Sequence, residues 1–249
     1  MKEKWGTFLT ERDIKIFELI KKFGWIREDF IAKYLKLDWN DIKNKHNIYA
    51  LSVRLIKHDF INKIKIIAGY PAYWGLSKKG AEFMSSKEQS IIPLATLRHD
   101  DMVAELAINM MLNDPEIMLH TEHELKQEMY GIGSKKIKLP DIIINDKLAI
   151  EVEVSRKNDS KLSAIISNYL SSKYEEVVYY TNNIKIANKV KSLSQNSSKF
   201  KFKIFNKLDI LSSKDYLPYF EINDKLPRNN SGQFVNSVDK KLHELGAFN

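Results

Sequence analysis

The chain has 249 residues, 43% of them hydrophobic, no cysteine, and a formal net charge of +8. That length holds one medium domain or two small ones. The lack of cysteine excludes disulfides and thiolate metal sites, and no apolar run reaches the length of a membrane span. The opening MKEKWGTFLTERD lacks the apolar core of a secretory signal, so a cytoplasmic protein without membrane insertion is expected.

Charge is unevenly spread: residues 1–95 carry 18 Lys/Arg against 11 Asp/Glu, and residues 96–249 carry 22 against 21. A first segment holding most of the positive excess suits nucleic-acid binding. Within it, Thr10 followed by Glu11 and Asp13 reads as an N-cap, and Ile14, Phe17, Leu19 and Ile20 form the apolar stripe of a helix ending near Gly24. A second helix is expected over 28–35, with Phe30, Ile31 and Tyr34 inward. A third is expected from about 47 to 59, with Ile48, Leu51, Leu55 and Phe60 against the core. A strand over 60–67, a turn at 68–71, a returning strand over 72–76 and a helix opening at Ser77 follow.

Three helices and a hairpin are the layout of a winged helix-turn-helix, placed at 1–88. In that layout the third helix enters the major groove and the hairpin lies along the backbone. Ser52, Arg54, Lys57 and His58 are the candidate DNA contacts of the helix, and Lys63 and Lys65 those of the wing. Tyr73 and Trp74 are assigned to the core.

A polar gap with Pro93 marks a boundary at 85–95, and a second domain is placed at 96–249. Thr96 is positioned to cap a long helix whose buried stripe is Met102, Val103, Leu106, Ala107, Met110 and Met111. Glu105 reads either as a carboxylate reaching the sheet edge or as a surface residue. A strand at 117–119 is followed by His120, Glu122, His123 and Glu124. HTEHE lacks the HExxH spacing of zinc proteases and a third ligand nearby, leaving Glu122 as an accessory carboxylate.

The stretch KLPDIIINDKLAIEVEVSRK carries the most chemistry. It reads as a strand over 142–144, a turn at Asn145-Asp146-Lys147 and a strand over 148–154. A period of two sets Glu151, Glu153 and Ser155 on one face and Val152 and Val154 on the other. Asp141 can approach from the neighbouring strand. Carboxylates held that close need a positive partner, and a hard divalent cation, Mg²⁺ or Mn²⁺, supplies it. With Lys157 the set matches what phosphodiester hydrolysis needs. A solvated acidic sheet face is the alternative.

Beyond it, a helix over 160–171 around Leu162, Ile165, Ile166 and Leu170, a strand over 176–180, a helix capped by Asn183 with Ile184, Ala187 and Val190, and a strand over 200–205 complete a three-layer α/β unit with a mixed sheet. Pro218, Pro227 and Asn229-Asn230-Ser231-Gly232 suggest an irregular wrap or a DNA-contacting arm over 206–249.

Pro140-Asp141 with Glu151-x-Glu153 in a hairpin after a long helix resembles the PD-(D/E)xK restriction-endonuclease-like fold. With the winged helix in front, the chain is more closely similar to MOB-C family plasmid relaxases and the related replication-relaxation family, over about 8–205. The resemblance implies a site- and strand-specific nick at an origin of transfer, on double-stranded and nicked DNA, with coupling or relaxosome proteins as partners. It implies that Asp141, Glu151 and Glu153 bind the metal and that Lys157 takes the lysine role. It also matches His99 and Asp100 to the family's His-Asp pair. The position two after Glu151 holds Glu153 rather than lysine, so Lys157 must reach in from further along the chain. Tyr169, Tyr174, Tyr179 and Tyr180 follow the motif. Water is favoured as the attacking group, with no stable covalent adduct. The alternatives are an accessory DNA-binding protein without nuclease activity, a dimeric restriction enzyme and a transcriptional regulator.

Overall fold

The structure is a computed structural model and describes residues 9–66, 69–88, 92, 94–129, 139–153 and 157–204. Ala68 of the expected turn, Pro93, Val154, Ser155, Phe205 and the expected arm at 206–249 lie outside the described residues. Helices and strands are mixed and form two sheets, an α/β architecture. Among the described residues no helix is long and apolar enough to cross a membrane.

The chain divides into two compact units, one of Met1–Ala104 with His120–Ile137, the other of Glu105–Leu119 with Lys138–Asn249. This division crosses the chain three times. Side-chain contacts explain the return of the later segment to the first unit. Thr121 Oγ1 donates to the Lys22 carbonyl, and Lys22 Nζ pairs with Glu124 at 2.7 Å.

The first unit opens with α1 (Glu11–Phe23), whose N-terminus is closed by a reciprocal capping box. Asp13 N donates to Thr10 Oγ1 at 3.3 Å, and Thr10 N donates to Asp13 Oδ2 at 2.8 Å. Gly24 ends the helix with φ +79°, a region that favours glycine. Then come β1 (Trp25–Arg27), α2 (Glu28–Tyr34), α3 (Ile42–Lys57), β2 (Ile61–Ile64), β3 (Tyr73–Leu76) and α4 (Lys78–Phe83). The three strands form an antiparallel sheet in the order β1-β3-β2. Ile16 and Phe17 of α1, Ile31 of α2, Leu55 of α3 and Trp74 of β3 are fully buried. The rings of Phe17, Phe60 and Phe83 meet at 5.6 to 6.2 Å between centroids, in stacked and edge-on pairs.

Two expectations change here. The third helix starts at Ile42, five residues earlier than expected, because Asp41 caps it by accepting from Lys43 N at 2.9 Å. Strand β1 was not anticipated at all.

α4 packs close to the start of β2. A Cβ on Gly80 would lie 2.0 Å from the Phe60 carbonyl oxygen, a backbone atom that cannot swing aside. Gly80→Ala is therefore expected to destabilise the first unit by about 1–3 kcal/mol or more, read as a lower midpoint in urea unfolding.

Residues 97–113 form α5 (Leu97–Asn113), followed by β4 (Leu119–Thr121) and α6 (Glu122–Met129). The expected stripe of α5 holds for Val103, Leu106 and Ala107, whereas Met102, Met110 and Met111 are only half-buried. The strand expected at 117–119 lies two residues later, and the segment expected to be its exit is a helix.

The second unit holds β5 (Ile142–Ile144), β6 (Leu148–Glu153), β7 (Glu176–Thr181) and β8 (Phe200–Ile204), side by side in that order in one sheet. β5 and β6 form the predicted antiparallel hairpin. Asn145 and Asp146 take φ of 49° and 57°, and Lys147 N donates to the Ile144 carbonyl at 3.1 Å, the turn that Asn and Asp favour. α7 (Asp159–Leu170) links β6 to β7, and α8 (Ile184–Leu193) links β7 to β8, both pairs parallel. Strand order advances in one direction, so right-handed crossovers put both helices on the same face. Their apolar stripes, including Leu162, Ile166, Ile186 and Val190, cover Ala149, Val177 and Tyr179. Tyr169, not the expected Leu170, completes the α7 stripe; Leu170 is exposed.

Candidate functional site

The hairpin register fixes the acidic residues. Ile142 stands opposite Ile150, so the next pair outward sets Asp141 against Glu151. β6 and β7 set Glu151 beside Tyr179 and Glu153 beside Thr181. Side chains alternate along a strand, so Glu151 and Glu153 share the face covered by α7 and α8. All three carboxylates are deeply buried: Asp141 is 8% exposed, Glu151 2% and Glu153 3%. A solvated acidic face is thereby ruled out.

Each carboxylate has a defined protein donor. Asp141 Oδ2 accepts from Val152 N at 2.7 Å. Glu151 Oε1 accepts from the Tyr169 hydroxyl. Glu153 forms an ion pair with Lys157 four residues on. The four side chains carry a formal charge of −2 when all are ionised. Burial, followed by the charge of Glu151, pushes the ionisation of both Tyr169 and Tyr179 well above the usual phenol range, so both stay protonated.

The expected three-carboxylate centre is not assembled. Among the described residues no group of three His, Cys, Asp or Glu side chains is arranged to hold a metal ion. Glu153 is instead turned to Lys157. The opposed pair Asp141 and Glu151 remains, and it fits a magnesium-type cation, which takes one or two carboxylates and fills its other positions with water and phosphate. One further observation supports that fit: the buried Tyr179 hydroxyl, close enough for the charges of Glu151 and Asp141 to act on it, has no hydrogen-bond partner among the described residues. Hard oxygen donors of this kind suit a hydrated divalent ion.

The accessory residues are placed differently from expectation. Glu105 is buried in the second unit, which removes its surface reading. Glu122 belongs to the first unit and pairs with Lys126 one turn on, at 2.8 Å. His99 and Asp100 are also in the first unit. Asp100 accepts from Thr96 Oγ1 at 2.7 Å and lies 3.2 Å from His99 Nδ1. Their neighbour Asp101 is half-buried, bonded to Arg27 at 3.0 Å and to the Tyr73 hydroxyl at 2.7 Å.

The expected DNA contacts also divide. Ser52 is fully buried, its hydroxyl donating to the Tyr49 carbonyl at 2.7 Å and accepting from Lys63 at 3.2 Å. Lys63 is drawn inward by buried Glu28, at 2.5 Å, and Glu28 also accepts from Ala72 N and Trp74 Nε1, each at 3.1 Å. Arg54 pairs at 2.6 Å with fully buried Asp13. His58 is half-buried, and its carbonyl accepts from Lys79. Only Lys57 and Lys65 of the six are exposed.

The earlier start of α3 adds exposed residues that the expected helix left out: Lys43, Lys45 and His46. Asp41 before an apolar-periodic run was the signal for them.

Arg54→Ala is thus expected to act first on folding. Stripping the partner from buried Asp13 should cost about 2 kcal/mol, less than a fully buried pair because Arg54 is a third exposed. Urea unfolding measures it. Lys57→Ala and Lys65→Ala, at exposed positions, should instead leave stability within about 0.5 kcal/mol of the wild type.

Comparison with protein-family models, curated proteins and solved structures finds no match for the chain.

Proposed function

We propose that the chain is a Mg²⁺- or Mn²⁺-dependent DNA endonuclease that nicks one strand. In this reading the first unit is a winged helix that binds duplex DNA and the second is a PD-(D/E)xK-like nuclease core. The observation that carries the reading is the pair of buried carboxylates, Asp141 and Glu151, set against each other across a hairpin. Buried like charges are unfavourable without a compensating cation.

Asp141 and Glu151 would hold the ion, which when bound polarises a phosphoryl oxygen and lowers the pKa of water. Glu153 holds Lys157 by their ion pair, and the ammonium offsets negative charge on the phosphate. Tyr169 keeps Glu151 oriented through its hydrogen bond. Exposed basic residues of α3 and Lys65 would anchor the DNA backbone. The finer reading is that of a MOB-C-like relaxase cutting at an origin of transfer, with coupling or relaxosome proteins as partners.

A second reading is an accessory DNA-binding protein without nuclease activity. It draws support from the engagement of Glu153 by Lys157 and the lack of a three-ligand group among the described residues.

The test uses supercoiled plasmid carrying the cognate element, with Mn²⁺ or with chelator. Metal-dependent open circles support the nicking reading. DNA binding with no cutting under either condition favours the accessory reading, and linear product favours a restriction enzyme.

A further inference from the structure

Tyr179 is 1% exposed, and its hydroxyl has no hydrogen-bond partner among the described residues. Its ring is fixed on the sheet by Phe200 and Phe202, stacked at 6.2 and 6.4 Å, so the hydroxyl cannot swing out to water. A phenylalanine would fill the same space without burying an unsatisfied donor, so the oxygen is unfavourable unless something binds it. Its position names the binder. Tyr179 is the register partner of Glu151, which stands opposite Asp141. On the helix side Tyr169 already donates to Glu151.

A covalent role for either phenol is disfavoured. Both are buried against negative charge, which opposes the phenolate that attack on phosphorus requires.

We propose that the Tyr179 hydroxyl donates a hydrogen bond to a water molecule in the coordination shell of a divalent cation held by Asp141 and Glu151. Tyr169 acts as the positioning residue for Glu151. The inference rests on the cation site proposed above. It adds two residues that hold the ion through water and through a ligand, and partners of that kind set metal affinity strongly.

The test is Mn²⁺ titration of the full chain by electron paramagnetic resonance, with thermal melting in chelator alongside. Tyr179→Phe is expected to raise the Mn²⁺ dissociation constant by roughly 10–100-fold. In chelator it should melt at or above the wild type, because no made bond is lost. Tyr169→Phe is expected to weaken Mn²⁺ binding comparably but to melt lower in chelator, because it loses its bond to Glu151. Unchanged Mn²⁺ affinity in Tyr179→Phe overturns the inference while leaving the cation site intact. A lower melting temperature for Tyr179→Phe in chelator also overturns it, since the hydroxyl would then serve the fold itself. No Mn²⁺ binding by the wild type removes the cation site and the inference together.

Discussion

Glu151→Gln is expected to lower the proposed Mn²⁺-dependent nicking by about a thousandfold while leaving the proposed DNA binding within about twofold. Loss of a few kcal/mol of charge stabilisation, at about 1.36 kcal/mol per factor of ten, gives that magnitude. The substitution suits the purpose because Gln keeps the shape of the side chain and an oxygen that accepts from the Tyr169 hydroxyl. What disappears is the negative charge opposite Asp141. A second readout follows with the opposite sign. In chelator, removing one of two opposed buried carboxylates relieves repulsion, so Glu151→Gln should melt at or above the wild type. Nicking that survives the substitution would exclude Glu151 from the reaction. A large loss of melting temperature in chelator would mean that the carboxylate is held by the fold for its own stability.

Trp74→Ala carries the largest expected effect on folding, about 4 kcal/mol, from unfilled core volume alone. The ring is fully buried in β3, and its Nε1 donates to Glu28. Truncation leaves Glu28 with the Ala72 amide and Lys63 as its remaining donors and takes the central strand of the β1-β3-β2 sheet off its packing. Trp74→Phe separates the two contributions. It retains most of the volume and loses only the hydrogen bond, for about 1–2 kcal/mol. Urea unfolding of both variants, followed by tryptophan-independent circular dichroism, measures the difference. Equal effects of the two variants would place the stabilisation in the hydrogen bond rather than the packing.

Local signals made parts of this fold legible in the sequence. Thr10, Asp13 and Gly24 bracket α1 because caps and left-handed glycines act within a few residues. Ile-Ile-Ile followed by Asn145-Asp146 and an alternating strand named the acidic hairpin, including the face that Glu151 and Glu153 share. The misreadings are tertiary in origin. β1 is three residues long and exists by pairing with residues 73–75, nearly fifty positions away. Lys63 alternates as an outward strand residue should, yet it turns to Glu28, a partner 35 positions earlier. Glu122–Met129 lacks an apolar stripe of its own, so α6 could not be seen by periodicity. At the site, the identities of the carboxylates were readable but their partners were not. Nothing in the spacing says that Tyr169 on α7 bonds Glu151, or that Glu153 gives its carboxylate to Lys157.

Everything turns on whether a hard ion lodges between two opposed acids on one hairpin. Anomalous diffraction from crystals soaked in Mn²⁺ tests this most directly. One strong peak is expected within bonding distance of both Asp141 and Glu151, lost on chelation. No peak there, or manganese bound only elsewhere, would contradict it.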